Sequence, residues 1–347
     1  LLPGKEYTVS GVLVNAKDGK EMKDSNGASI TASTTFTPTT TSGSVDITFK
    51  FSSGILKGTS VVAFEDLKYN NIKVATHADI SDKDQTVDFP EIHTTLVDTK
   101  TKEHISGQET TIELVDTVAY TNLNPDYEYT MTGTLMDKST GKGLLDKDGK
   151  NVTASKTFKP DAASGTVEIV FTFDGSLLKG DTLVAFENLK YNDKSVATHN
   201  DINDVDQTVD IPELKTSFFD LEIGETEDFV RAAQNVTLVD RVYYTNIQPG
   251  LEYTVYGSIM VKETNEAFKD ADGNAVIVSK TFTPSSATGY VDVEFVVDTT
   301  LVAGKTLVAF ETLDYNGITL VIHANIDDED QTVHVPDVHT TATDNDN

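Results

Sequence analysis

GTVEIVFTF (residues 165–173) places Val167, Ile169, Phe171 and Phe173 at every second position, with Thr and Glu among the residues between them. That period fits a strand with one face on a core; a helix would bring apolar residues round every three to four positions. YEYTMTGTLM (127–136) and DTLVAFENL (181–189) have the same period and are rich in residues that suit a pleated, half-buried surface. Asn26-Gly27, Asp148-Gly149 and Asp272-Gly273 lie between such runs and supply turns. No stretch has helical periodicity. The expectation is all-β: immunoglobulin-like β-sandwich modules in tandem, in an elongated array.

Working outward, DTLVAFENL opens a block that occurs three times. It reads VAFEDLKYNNIKVATHADISDKDQTVDFPEIHTT at 62–95, VAFENLKYNDKSVATHNDINDVDQTVDIPELKTS at 184–217 and VAFETLDYNGITLVIHANIDDEDQTVHVPDVHTT at 308–341. A repeat of roughly 120 residues is too long for a solenoid unit and is the size of an independent domain. Pro90, Pro212 and Pro336 close the blocks, giving modules 1–90, 91–212 and 213–336 and a tail, 337–347. The linkers are short and marked by proline, which favours a stiff string.

Segments EIHTTLVD (91–98), ELKTSFFD (213–220) and DVHTTATD (337–344) align as module openers. LLPGKEYTVSGVL (1–13) instead matches NLNPDYEYTMTGTL (122–135), well inside the second module. The first module therefore reads as a sandwich without its opening strands. The tail reads as an opening strand alone, and the chain as a window on a longer array.

The 347 residues hold 27 Lys and Arg against 56 Asp and Glu, a net charge of −29. Such a surface argues against nucleic acid and anionic membrane as partners. There is no cysteine, so disulfides and thiol catalysis are excluded. The apolar runs are too short to span a bilayer. No cofactor or metal is called for.

Five polar positions recur in the complete modules: Thr94, Asp116, Glu187, His199 and Gln207, then Thr216, Asp240, Glu311, His323 and Gln331. The first module keeps Glu65, His77 and Gln85, and the tail offers Thr340. Asp116 in LVDTVAY (114–120), Asp240 in LVDRVYY (238–244) and the Glu of each VAFE are embedded in apolar sequence. Such carboxyls are expected to be buried with raised pKa values. Packing alone would recur as Val, Ile and Phe, not as this set. A hydroxyl activated by a neighbouring base is a nucleophile, and His is the commonest base near neutral pH. A protonated carboxyl can polarise a carboxamide by donating to its developing oxyanion. Attack of the Thr hydroxyl on Gln would expel ammonia and leave an ester between the first and last strands.

Here the sequence resembles the VaFE or TQ modules of bacterial surface adhesins, which carry intramolecular Thr–Gln ester cross-links in CnaB-like sandwiches. VAFE, the His, DKDQTV, DVDQTV or DEDQTV, and the TT or TS opener carry the resemblance over nearly the whole chain. It implies Thr94–Gln207 and Thr216–Gln331 as the linked pairs. Asp116 with Glu187 and Asp240 with Glu311 would be the carboxyl pairs, and His199 and His323 the activating bases. It further implies a stalk of a Gram-positive cell-wall adhesin, extracellular, rigidified by single-turnover autocatalysis rather than by an enzyme. The partners would be neighbouring repeats and, through a tip domain elsewhere, a host ligand. Lys215 and Ser217 depart from the usual residues around the Thr.

Other readings stay open. Thr95, Ser217 and Thr341 are neighbouring hydroxyls. Lys215 is the one Lys placed for a Lys–Asn isopeptide bond. The acidic loops 144–150, 201–207 and 326–331 hold calcium-type ligands but lack the full calcium loop. Asn151 and Asn235 begin glycosylation-type triplets. A ligand-binding module without cross-links, and a hydrolase using Thr, His and Asp, remain alternatives. Head-to-tail linking through Thr340 is a further one, although the first module lacks an Asp.

Overall fold

A computed structural model describes residues 1–343; residues 344–347, the end of the expected tail strand, lie outside the described residues. The second and third modules are two-sheet β-sandwiches. In the second, a three-stranded antiparallel sheet runs Gly165–Phe173, Ile112–Thr121, Glu91–Asp98. The facing sheet runs Thr153–Phe158, Tyr129–Asp137, Thr182–Tyr191, Lys194–His199, with Thr208–Asp210 also paired to Thr182–Tyr191. The third module repeats this with Glu213–Asp220, Val236–Thr245 and Gly289–Val297 facing a sheet built on Tyr253–Val261, Thr306–Tyr315 and Ile318–His323.

The period-two runs form the strands expected of them. Val167, Ile169, Phe171 and Phe173 are all buried, as are Met131 and Leu135 opposite them. Burying such side chains contributes about 1.5–3 kcal/mol each before the entropy of ordering is charged. At the Asp148-Gly149 turn, Asp146 Oδ1 accepts from the Asp148 and Lys150 amides, and Gly149 adopts φ 74°, a conformation that strains residues with a Cβ.

The first module is not a sandwich. Its strands, Tyr7–Asn15, Thr31–Phe36, Ser60–Tyr69, Ile72–His77 and Thr86–Asp88, form a single sheet, with no second sheet among the described residues. SVDITFKF (44–51) is the counterpart of GTVEIVFTF, yet it takes no strand. In the complete modules that strand pairs with the Asp-bearing strand, which the first module lacks. Without a ladder partner its backbone groups turn to water. The same reason corrects the tail: residues 337–343 are exposed and form no strand, because no Asp-bearing strand lies beside them.

Candidate functional site: a buried carboxyl pair between first and last strands

Alternation fixes which side chains enter the site. Ile92, Thr94, Leu96 and Asp98 point inward from the opening strand, and Leu114, Asp116 and Val118 from its neighbour. From the facing sheet, Ala185, Glu187 and Leu189 point inward. Thr94 and Asp116 thus belong to one sheet, and Glu187 and His199 to the other, with Gln207 in the turn just before that sheet's last strand. All except His199 are buried, with Asp116, Glu187 and Gln207 at 0 % exposure. The third module buries Thr216, Asp240, Glu311 and Gln331 in the same places.

The alternative nucleophiles fall outside. Thr95 and Thr341 are exposed, and Ser217 is half-buried on the opposite side from Thr216. Lys215 is exposed and does not enter the buried site. Thr340 is exposed in the tail, away from any Asp-bearing strand.

The contacts show what holds each group. The Thr94 hydroxyl donates to Asp116 Oδ1. Gln207 Nε2 donates to Glu187 Oε2 at 2.5 Å, and Gln331 Nε2 donates to Glu311 Oε2. Glu187 lies directly across the ladder from His199, and Glu311 from His323, whose Nδ1 is 3.6 Å from Glu311 Oε2. The nearest proton acceptor for Thr94 is therefore Asp116, whereas the His meets the Glu side of the pair.

Two features of the site were not picked out from the sequence. The first is the Asp that opens each D-x-D-Q-T. Asp82, Asp204 and Asp328 meet the Nε2 of His77, His199 and His323 at 3.1, 2.9 and 3.3 Å. Their other oxygen accepts from the amide two residues on, and their carbonyl accepts the hydroxyl of Thr86, Thr208 or Thr332. These carboxylates hold the His and the turn together. The second Asp carries the stitch to the opening strand: Leu96 N–H donates to the Asp206 carbonyl (2.8 Å), and Phe218 N–H to that of Asp330 (3.1 Å). The threefold DxDQTV was the available signal. The second feature is Gly133, directly opposite Glu187, where a Cβ would lie 2.5 Å from Phe171 Cζ; Gly257 is its equivalent opposite Glu311.

Electrostatics follow from this enclosure. Burial pushes Glu187 up to about 10, reinforced by the Asp116 charge, while Asp116 rises to about 6. The Thr94 hydroxyl, which donates to Asp116, favours its ionised form. In the third module burial pushes Glu311 up to about 7 and Asp240 well above the carboxylate range, again with the partner's charge behind it. There Thr216 Oγ has no hydrogen-bond partner. In both modules two adjoining buried carboxyls cannot both be ionised at neutral pH, and neither Lys nor Arg neutralises them among the described residues.

Among the described residues, and before the proton shared within each carboxyl pair is counted, eleven of thirteen buried side-chain polar atoms without a partner belong to the recurring Thr, Asp, Glu, His and Gln positions. Unpaired buried polar atoms cost about 1–3 kcal/mol each, so concentrating them here works against stability. Strain of this kind gathers at functional sites. The set brings together a hydroxyl, an ionisable acceptor beside it, a protonated acid and a carboxamide, which is sufficient for acyl transfer.

A family profile described as "T-Q ester bond containing domain" matches residues 1–89, 90–211 and 212–335. No curated protein matches the chain. Among solved structures, a Mobiluncus mulieris bacterial adhesin containing intramolecular disulfide, isopeptide and ester bond cross-links aligns at 14% identity and TM-score 0.30. The alignment covers 66% of this chain and 82% of that one. A red sea bream transglutaminase aligns at 12% identity and TM-score 0.23, over 71% of this chain and 31% of its own. Similarity this low bears on neither activity nor partners. The profile spans nearly every residue, and this chain belongs to the family of T–Q ester bond containing domains, in three consecutive copies.

Proposed function

We propose that the second and third modules each form one ester between Thr and Gln, and that the chain is a load-bearing segment of a surface adhesin. The observation that carries this reading is the convergence of Thr94 and Gln207, from the first and last strands, on a buried carboxyl pair without a counter-cation.

The steps balance. Thr94 Oγ attacks the Gln207 carboxamide carbon as its proton passes to Asp116. Glu187, kept protonated by burial, donates first to the developing oxyanion, once the amide is turned to present its oxygen, and then to the leaving nitrogen. The proton on Asp116 crosses to its neighbour Glu187. The Oγ–C bond forms, the C–N bond breaks, and one ammonia leaves. The product is an ester, the carboxyl pair regains its starting proton, and no turnover follows. His199, held by Asp204, lies across the ladder from Glu187 and takes a positioning role. This assignment differs from that of an activating base, and it ranks the variants: Asp116→Asn slows linking more than His199→Ala does. The reverse ranking in single-site mass analysis would restore the His as the base.

The ester would join the two sheets as well as the two ends of the module. Tension along the chain would then pass through a covalent bond rather than through the ladders. An extracellular, cell-wall-attached stalk is the setting that makes use of this property. Pulling a single molecule tests it. The linked modules should resist forces that extend the Thr94→Ala, Thr216→Ala chain, and equal extension of both would refute the mechanical role.

A further inference from the structure

The mouth of the third module's site is partly built by the second module. A cleft of about 300 Å³ opens over Thr216 and His323, and Gln108 and Lys179 of the second module form part of its wall. Gln108 is fixed there: its amide donates to the Leu320 carbonyl (2.8 Å) and its Nε2 to the Pro212 carbonyl (2.7 Å). Gly107 passes so close that a Cβ would lie 2.9 Å from the Thr319 carbonyl oxygen. Ile105, in the same loop, is fully buried in the third module's core cluster.

The second module's own cleft is smaller, about 90 Å³. Lys57 of the first module stands there, in a Leu-Lys-Gly stretch (56–58) that recurs at 178–180. His93 lies edge-on to His199 there, with ring centroids 5.5 Å apart. Both clefts thus receive a Lys from the preceding module; beside it stand His93 in the second cleft and Gln108 in the third.

An ester beside an imidazole is open to hydrolysis. Water would attack the carbonyl carbon contributed by Gln331, and the Oγ–C bond would break. Thr216 would regain its proton, leaving at position 331 a carboxylic acid that releases its proton to solvent. One water is consumed and nothing else is needed, so exclusion of water decides whether the bond lasts. Resting on the cross-linking reading above, we infer that Gln108, with Lys179 beside it, is a lid on the third module's reaction cleft. The second module thereby protects the bond of the third.

The full chain tests this. Linked protein is incubated at mildly alkaline pH and peptide mapping follows both bonds in the same molecules. Gln108→Ala should speed hydrolysis of the Thr216–Gln331 ester about tenfold, equivalent to ~1.4 kcal/mol of barrier. The Thr94–Gln207 ester should be unchanged. Lys179→Ala, which leaves both bonds of Gln108 intact, should act in the same direction. Gln108→Met keeps the wall's bulk without its carboxamide and should restore slow hydrolysis. Equal hydrolysis of both esters in every variant, or failure of the Met variant to rescue, overturns the lid. Absence of any ester in the unmodified chain overturns the cross-linking reading itself, and the lid with it.

Discussion

The first and second modules carry the same Glu and His on equivalent strands and the same Gln in the turn before the last strand, and differ in what covers them. Gln85 Nε2 donates to Glu65 Oε2 at 2.6 Å, and Asp82 holds His77, as Gln207, Glu187, Asp204 and His199 do one module later. Yet the His77 side chain is 56 % exposed against 17 % for His199. The first module's buried cluster has four residues, Leu13, Ile30, Leu56 and Val61, where the second has a cluster running through both sheets. The carboxamide half of the site therefore assembles within one sheet. The other sheet brings the Thr, the Asp, and the burial that raises the carboxyl pKa values. Placing the reactive groups together is not sufficient; their chemistry depends on the second sheet.

The largest expected effect comes from removing a hydroxyl. Thr94→Ala should leave the second module unlinked and lower its stability by ~5 kcal/mol, the value for closing a loop of about 100 residues. Calorimetry should show that module melting earlier while the third is unmoved. An unchanged melt would mean that no bond was there to lose. Asp116→Asn should slow linking of the same module by about 10² to 10⁴-fold, the range for a positioned proton acceptor. Time-resolved mass analysis of freshly made chain measures this, and ordinary linking in that variant would remove Asp116 from the mechanism.

A smaller effect separates the two modules through their glycines. At Gly133 a new Cβ would lie 2.5 Å from Phe171 and 2.6 Å from Ile169, both on a strand locked in its ladder. At Gly11 it would meet Ile47 and Phe49 at 2.7 Å, on a segment with no ladder. Gly133→Ala should cost about 1–3 kcal/mol as overpacking. Gly11→Ala should stay within about 0.5 kcal/mol because its neighbours can yield. Similar losses in denaturant titration would show that the 44–51 segment is held as firmly as its counterpart.

The smallest effect is in pH. The buried acids have pKa values raised above those of the unfolded chain. Their contribution is fully present below the unfolded values, near 4, and is lost as pH rises through the folded ones, from about 6 to 10 in the second module. The unlinked Thr94→Ala, Thr216→Ala chain should therefore lose stability between pH 5 and pH 9, read as a falling urea midpoint. A rising midpoint would contradict the raised values.

Much of this was legible in the sequence, for identifiable reasons. Period two put Thr94, Asp116 and Glu187 on inward faces, and adjacent residues such as Thr95 on outward ones. The threefold register found Gln207 and His199. The partner of the His was harder to see, because the Asp204 carboxylate serves a turn and an imidazole at once and reads as an ordinary solvated loop. Gly133 was missed because a strand glycine shows its purpose only when the facing Phe171 is in place. The failure of 44–51 to form a strand was not legible locally: its pattern is sound, and what it lacks is a partner. The proton acceptor was assigned to His by chemical type, while distance favours Asp116.

The central claim is that the second and third modules each form one link. The intact mass of the denatured full chain tests it most directly. The account predicts a deficit of two ammonia masses, one each at Thr94–Gln207 and Thr216–Gln331, with Gln85 unmodified. An undiminished mass, or a third loss traced to Gln85, would contradict it.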